Sequence, residues 1–251
     1  MKKAFEINLI ILLIYFAFFI TFFFLRSYNH GLANIAIIVL NLGLISYLII
    51  FKKIDFENIT PFIYKTKTLY YGIFPLFFLA TLLQLFIDPL RNLSFVTGTE
   101  LIRQAKLPLP NFSYFYLFYT IIFAPIVEEF VFRKYLLTKT IFYTKNINIS
   151  ILMTSVIFGF IHLPNAGMCI IAFVFSIFCS MIYIKYKNII FPIIFHITFN
   201  SVGVLLKSVL ITKYYDTLLY LNFGLYYWFG ISFVGIALLL LLYFHFKKFA
   251  A

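Results

Sequence analysis

Long apolar runs constrain this chain more than any other feature. The first, LIILLIYFAFFITFFFL at 9–25, contains no charged residue, and runs of similar length recur along the sequence. A hydrocarbon core about 30 Å thick takes about 20 helical residues to cross. Within it every backbone N–H and C=O must be paired internally, so such runs fold as spanning helices. With 64% hydrophobic and 11% charged residues, the chain has too little polar material for a solvated globular surface. The pattern predicts an all-α, polytopic transmembrane helical bundle of about eight spans, at 7–25, 32–51, 69–87, 112–138, 149–163, 166–184, 189–206 and 218–244. The start, MKK followed by an apolar run, has the order of a signal peptide. The run is longer than a signal core and no A-x-A site follows, so it reads as a retained first helix.

The net charge of +12 is spread between the apolar runs rather than gathered on one face. That speaks against nucleic acid and for membrane topology, in which inner basic residues also meet anionic lipid headgroups. With the N-terminus inside, thirteen basic residues fall in inner segments and six in outer ones, with Arg133 left within a span. Both termini are therefore expected on the cytoplasmic side of the cell membrane. Residues 99–107 are expected to form a short amphipathic helix on the outer surface. Cys169 and Cys179 lie ten residues apart in one apolar run, with no C-x-x-C spacing, and read as thiols.

Few ionisable residues lie well inside the spans. Glu128, Glu129 and Arg133 occur in APIVEEFVFRKYLL at 124–137, and His162 and His196 follow, with Asn200 as a strongly polar companion. A charged group inside the bilayer costs several kcal/mol, about 2.5–3.5 on insertion scales, so such groups are functional candidates by default. Glu129 and Arg133 are spaced i, i+4 and share a helix face, where they can form an ion pair. Glu128 projects about 100° away from Glu129. His196 and Asn200, in HITFN, point in one direction, and Phe158 and His162, in FGFIH, repeat the relation. At about 1.5 Å of rise per residue, Glu128 lies about 16 Å in from Lys139 and His162 about 21 Å in from Asn148. By the same measure His196 and Asn200 lie about 12 and 18 Å in from Asn188. Similar depths are what a single buried polar site requires.

The motifs E-E-x-x-x-R, F-x-x-x-H and H-x-x-x-N thus occur in order as Glu128-Glu129-Arg133, Phe158-His162 and His196-Asn200. In this the chain resembles the CAAX-protease and bacteriocin-processing or immunity (Abi) family of intramembrane endopeptidases. The resemblance covers roughly 112–206 and leaves 1–111 and 207–251 without family motifs. One departure is Lys134, where many relatives have Gly. The resemblance implies hydrolysis of membrane-anchored peptides or protein C-termini without a cofactor. It implies that Glu128 activates water, that His162 holds the water and passes a proton to the leaving amine, and that His196 and Asn200 donate to the oxyanion. Glu129 and Arg133 take a supporting role.

Blander readings stand beside these. Glu129 and Arg133 read as an ion pair locking the helix, Glu128 as a second acceptor for that arginine, and His162 as a satisfied core histidine. Phe158 reads as ordinary packing. A zinc protease is disfavoured by the absence of H-E-x-x-H. A rival from another class is a small-solute transporter, which the lack of an inverted repeat disfavours; a further reading, within the family, is a bacteriocin immunity protein acting with or without proteolysis.

Overall fold

The computed structural model describes residues 1–52, 76–77, 79–84, 114–163, 166–205 and 233. Among the described residues every regular element is helical. Helices α1 (Lys2–Tyr28) and α2 (His30–Lys52) open the chain. The third, α3, runs over 114–144. It is followed by α4 (Ile147–Phe160), α5 (Ala166–Tyr186) and α6 (Ile190–Leu205). Segments Lys2–Tyr28, Gly31–Ile50 and Gly167–Tyr186 are long and apolar enough to cross a membrane, while Ile147–Phe160 and Ile190–Val204 are shorter apolar helices. The expected span 218–244 and the surface helix at 99–107 lie outside the described residues. Of the span at 69–87, only helical residues 76–77 and 79–84 are described.

The expected helix at 112–138 runs on to 144 and is not regular. Two wider π-helical segments, Tyr119–Phe123 and Phe130–Leu137, flank the α-helical Ala124–Glu129. The amide of Ala124 donates to the Tyr119 carbonyl, an i→i−5 bond. Wide turns of this kind are rare and concentrate at functional sites.

The chain divides into two units. The first comprises Met1–Pro61, Ile126–Tyr183 and Lys187–Ile189. In it, α1 packs on α2, on α4 and on the end of α3. Asn29 breaks α1 from α2 in extended backbone, φ −157° and ψ 118°, and its Oδ1 accepts from the amides of Gly31 at 2.7 Å and Leu32 at 3.1 Å. The same residue therefore ends one helix and caps the next. Buried Asn8 donates to Ala4 O at 2.8 Å and to Thr140 Oγ1 at 2.9 Å, which ties α1 to α3. Phe16, Phe23, Ile35 and Ile50 are exposed on α1 and α2. Helices apolar on their outer as well as inner faces suit lipid rather than water.

Helix α3 stops at Lys145, whose left-handed φ of 55° turns the chain while its amide returns to Ile141 O at 2.9 Å. Asn146 then caps α4 by accepting from the Ile149 amide at 3.1 Å. The α4–α5 approach is close at Gly159. A Cβ there would lie 2.9 Å from Cys169 O and 3.2 Å from Phe173 Cβ, so only glycine fits without a shift.

The second unit comprises Phe62–Pro125, Ile184–Tyr186 and Ile190–Ala251. Within it α6 packs against Tyr119–Phe123. Pro192 sits in the first turn of α6, where no intrahelical donor is needed, and Phe191 stacks on Tyr186 at 4.1 Å. Thr198 and Ser201 return their hydroxyls to Ile194 O at 2.9 Å and Ile197 O at 2.7 Å. Their polar atoms are thereby satisfied within the helix, as a lipid environment demands.

Candidate active site

In the first unit the polar centre is built around Arg133. Its Nε lies 3.0 Å from Glu129 Oε2, and both side chains are fully buried, at 0% exposure. The i, i+4 spacing read from the sequence survives the wide turn that begins at Phe130. Arg133 also donates from a terminal guanidinium nitrogen to Ser176 O on α5 at 3.3 Å. Its guanidinium stands 4.8 Å above the ring of Phe158 on α4. Three helices thus share one buried cation, which a desolvated guanidinium repays through charge-assisted bonds and the ring face. The wide turn carries a local compensation: the Thr138 hydroxyl donates to the Arg133 carbonyl at 3.2 Å.

The adjacent carboxylate is in a different setting. Glu129 is fully buried in its ion pair, whereas Glu128 is half-buried. Two neighbouring acids of identical chemistry are separated by one residue's rotation about the helix.

Phe158 does more than fill space. It is 1% exposed, and its ring meets Phe132 edge-on at 4.9 Å, lies 5.0 Å from the His162 ring and carries Arg133 on its face. Tyr15 extends the aromatic contact from α1 to Phe132 at 5.5 Å. Packing was foreseen for Phe158, but its link between Arg133 and His162 depends on where α4 crosses α3, which no local pattern encodes.

His162 lies just beyond the end of α4 rather than inside the helix expected at 149–163. The sequence holds the reason, since Pro164 disfavours helical backbone at the residue before it. The amide of His162 bonds to Gly159 O at 3.0 Å, one residue short of the regular partner. The Phe158 carbonyl is instead met by His162 Nδ1 at 2.8 Å. A carbonyl oxygen only accepts, so Nδ1 carries a proton, and in the neutral form of the ring Nε2 is the acceptor. Cys179 is buried and Cys169 half-buried, and both are thiols.

The second unit holds His196 and Asn200. His196 is buried, at 4% exposure. Asn200 is half-buried and its Nδ2 donates to Thr120 O in α3 at 2.8 Å. Gln84, which sequence reasoning did not single out, is 2% exposed. Its Nε2 occupies the space over Gly203, 2.9 Å from where a Cβ would stand. Gly203 follows His196 by seven residues and Asn200 by three, so Gln84 sits over the helix face that carries both. The signal was available, because Gln84 is a strongly polar residue within the expected span 69–87. Among the described residues, no three His, Cys, Asp or Glu side chains gather as a metal site needs.

These features define a class: helical throughout the described residues, with membrane-length apolar helices, a buried acid–arginine pair beside a half-buried acid, one histidine just past the end of α4 and another on α6. Residues 110–202, which carry all of these polar groups, match the family model of type II CAAX prenyl endopeptidase Rce1-like proteins. That match supports the CAAX-protease (CPBP) family, a family of membrane-embedded proteases, for this segment of the chain. No curated protein and no solved structure matches the chain.

Proposed function

We propose that this protein is an intramembrane endopeptidase of the cell membrane in which Glu128 activates the attacking water. The observation that carries the proposal is the contrast between the two acids. Glu129 is consumed by Arg133 at 3.0 Å and fully buried, while Glu128, next to it, is half-buried. A carboxylate locked to a guanidinium is a poor base, and one at the edge of the packing is open to water. The family match over the same residues supplies the reaction class.

In the proposed reaction Glu128 takes a proton from water as the oxygen bonds to the scissile carbonyl carbon. His196 and Asn200 are assigned the support of the oxyanion, and His162 the water and the leaving amine. Collapse of the oxyanion breaks the C–N bond as the amine receives, through His162 Nε2, the proton that Glu128 took from water, giving one new carboxyl and one new amino terminus. No metal is assigned a role. Substrates are proposed to be membrane-anchored peptides, with bacteriocin or pheromone precursors favoured over prenylated C-termini; cleavage of a bacteriocin itself would give self-immunity. Eight spans with both termini cytoplasmic remain our proposed topology, supported by the bias of basic residues.

The test uses purified wild type and Glu128→Gln with a pool of membrane-anchored peptides and a zinc chelator, new termini being read by mass spectrometry. Cleavage by wild type alone is expected, at a rate at least about 100-fold above the variant. Cleavage by the variant at the wild-type rate would remove Glu128 from the mechanism. Loss of wild-type cleavage on chelation would reinstate a metal.

A further inference from the structure

Thr120 is one turn upstream of Pro125, and the two explain the setting of Asn200. In Tyr119–Phe123 the backbone bonds run i→i−5, as the Ala124 amide to Tyr119 O shows. In that register the next donor, for Thr120 O, would be the amide of residue 125. Residue 125 is proline and has no N–H. A carbonyl so released inside apolar surroundings needs another donor. Asn200 Nδ2 supplies it, at 2.8 Å. Its neighbours on α6 behave otherwise, for Thr198 and Ser201 bond back to their own helix.

We propose that Pro125 is a positioning residue for the reaction, acting through the Thr120 carbonyl to fix the side-chain amide of Asn200. This rests on the proposed role of Asn200 at the oxyanion. Because Thr120 O can only accept, the amide nitrogen must face it, and the flip of the Asn200 side chain is decided. One Nδ2 hydrogen is held by Thr120. The other is then fixed in the amide plane, which is what a donor aimed at a developing oxyanion requires. Pro125 thereby converts a helix defect into an anchor for a side chain 75 residues further along the sequence.

The test is a double-mutant cycle of Pro125→Ala and Asn200→Ala in the full-length protein, read by thermal unfolding in detergent and by peptide cleavage. In the wild-type background N200A strands the Thr120 carbonyl and is expected to lower Tm by about 3–8 °C. In P125A the new amide serves that carbonyl, so adding N200A should cost less than half as much. For cleavage, P125A is expected to lower kcat about tenfold with KM unchanged, short of the about 100-fold loss from removing an oxyanion donor outright. An equal Tm cost of N200A in both backgrounds would overturn the link between Pro125 and Asn200. Coupled Tm values with an unchanged kcat in P125A would overturn the positioning role.

Two safeguards keep the outcomes separate. If wild type cleaves nothing, the proposed function fails, while the Tm cycle still decides the link. If P125A does not fold, asparagine-labelled wild type answers by NMR, with N200D identifying the signal. One Asn200 amide proton shifted downfield and slow to exchange is expected, and two fast-exchanging protons would refute the anchor.

Discussion

Replacing Glu129 with Gln should destabilise the protein strongly, while the same change at Glu128 should not. Glu129 and Arg133 are both at 0% exposure and 3.0 Å apart. Removing one charge of a buried pair leaves the other uncompensated, at a cost of about 3–5 kcal/mol. Arg133 would keep Ser176 O at 3.3 Å and the Phe158 face at 4.8 Å, and the glutamine oxygen could still accept from Nε. The lower end, about 3 kcal/mol, is therefore expected for Gln and the upper end for Ala. At about 2–4 °C per kcal/mol for a chain of this size, Glu129→Gln should lower Tm by about 6–12 °C. Glu128→Gln, half-buried and nearly isosteric, should stay within about 0.5 kcal/mol of wild type. A thiol-reactive dye reads the transition directly, because Cys179 is buried and becomes reactive on unfolding. The dye should be used in a Cys169→Ser background, since Cys169 is only half-buried. Equal losses from the two variants would refute the division of labour between the acids, as would an unchanged Tm in Glu129→Gln.

The same assay tests the aromatic support. Phe158→Leu keeps an apolar filler but removes the face beneath Arg133 and should cost about 1–2 kcal/mol, whereas Phe158→Ala should cost about 3–5 kcal/mol. A fall for Leu as large as that for Ala would mean that ring geometry alone carries the effect. Gly159→Ala should lose about 1–3 kcal/mol, because the added methyl meets a backbone oxygen at 2.9 Å and α4 and α5 must part. Gly43→Ala, with nothing within 4 Å of the new Cβ, is the control and should be neutral or stabilising.

What the sequence disclosed was what local spacing encodes. The pairing of Glu129 with Arg133 follows from i, i+4 on any helix near α geometry, so it was legible and holds at 3.0 Å. The apolar helices were legible because hydropathy and length decide them, although the ends were not. Helix α4 stops before His162, because Pro164, just past the expected span, disfavours helical backbone ahead of it. The partner of Asn200 was hidden for a different reason. Thr120 is 80 residues away, and only the turn's width makes its carbonyl the one that Pro125 leaves without a donor. Gln84 carries no charge, so nothing in its spacing marks it as the ionisable groups are marked. By the cost of burying polarity in lipid, an amide ranks close behind them.

The order of the two acids has a physical logic. A single acid one turn before Arg133 would be drawn into the guanidinium and lost to chemistry. With Glu129 already at Nε, and Ser176 O and the Phe158 ring meeting the rest of the cation, Arg133 is surrounded on three sides. Glu128 is rotated by about 100° from that cluster. Its backbone is nonetheless held beside this fully buried ion pair. The pair therefore supplies rigidity beside the neighbour that the proposed mechanism needs, as a preorganised base requires. On this reasoning Glu129→Gln should reduce cleavage as well as stability, by loosening the base rather than removing it. The loss should appear in kcat and recover in part at lower temperature, where the helix is held. Glu128→Gln should recover at no temperature, and a common temperature dependence for the two variants would contradict the argument.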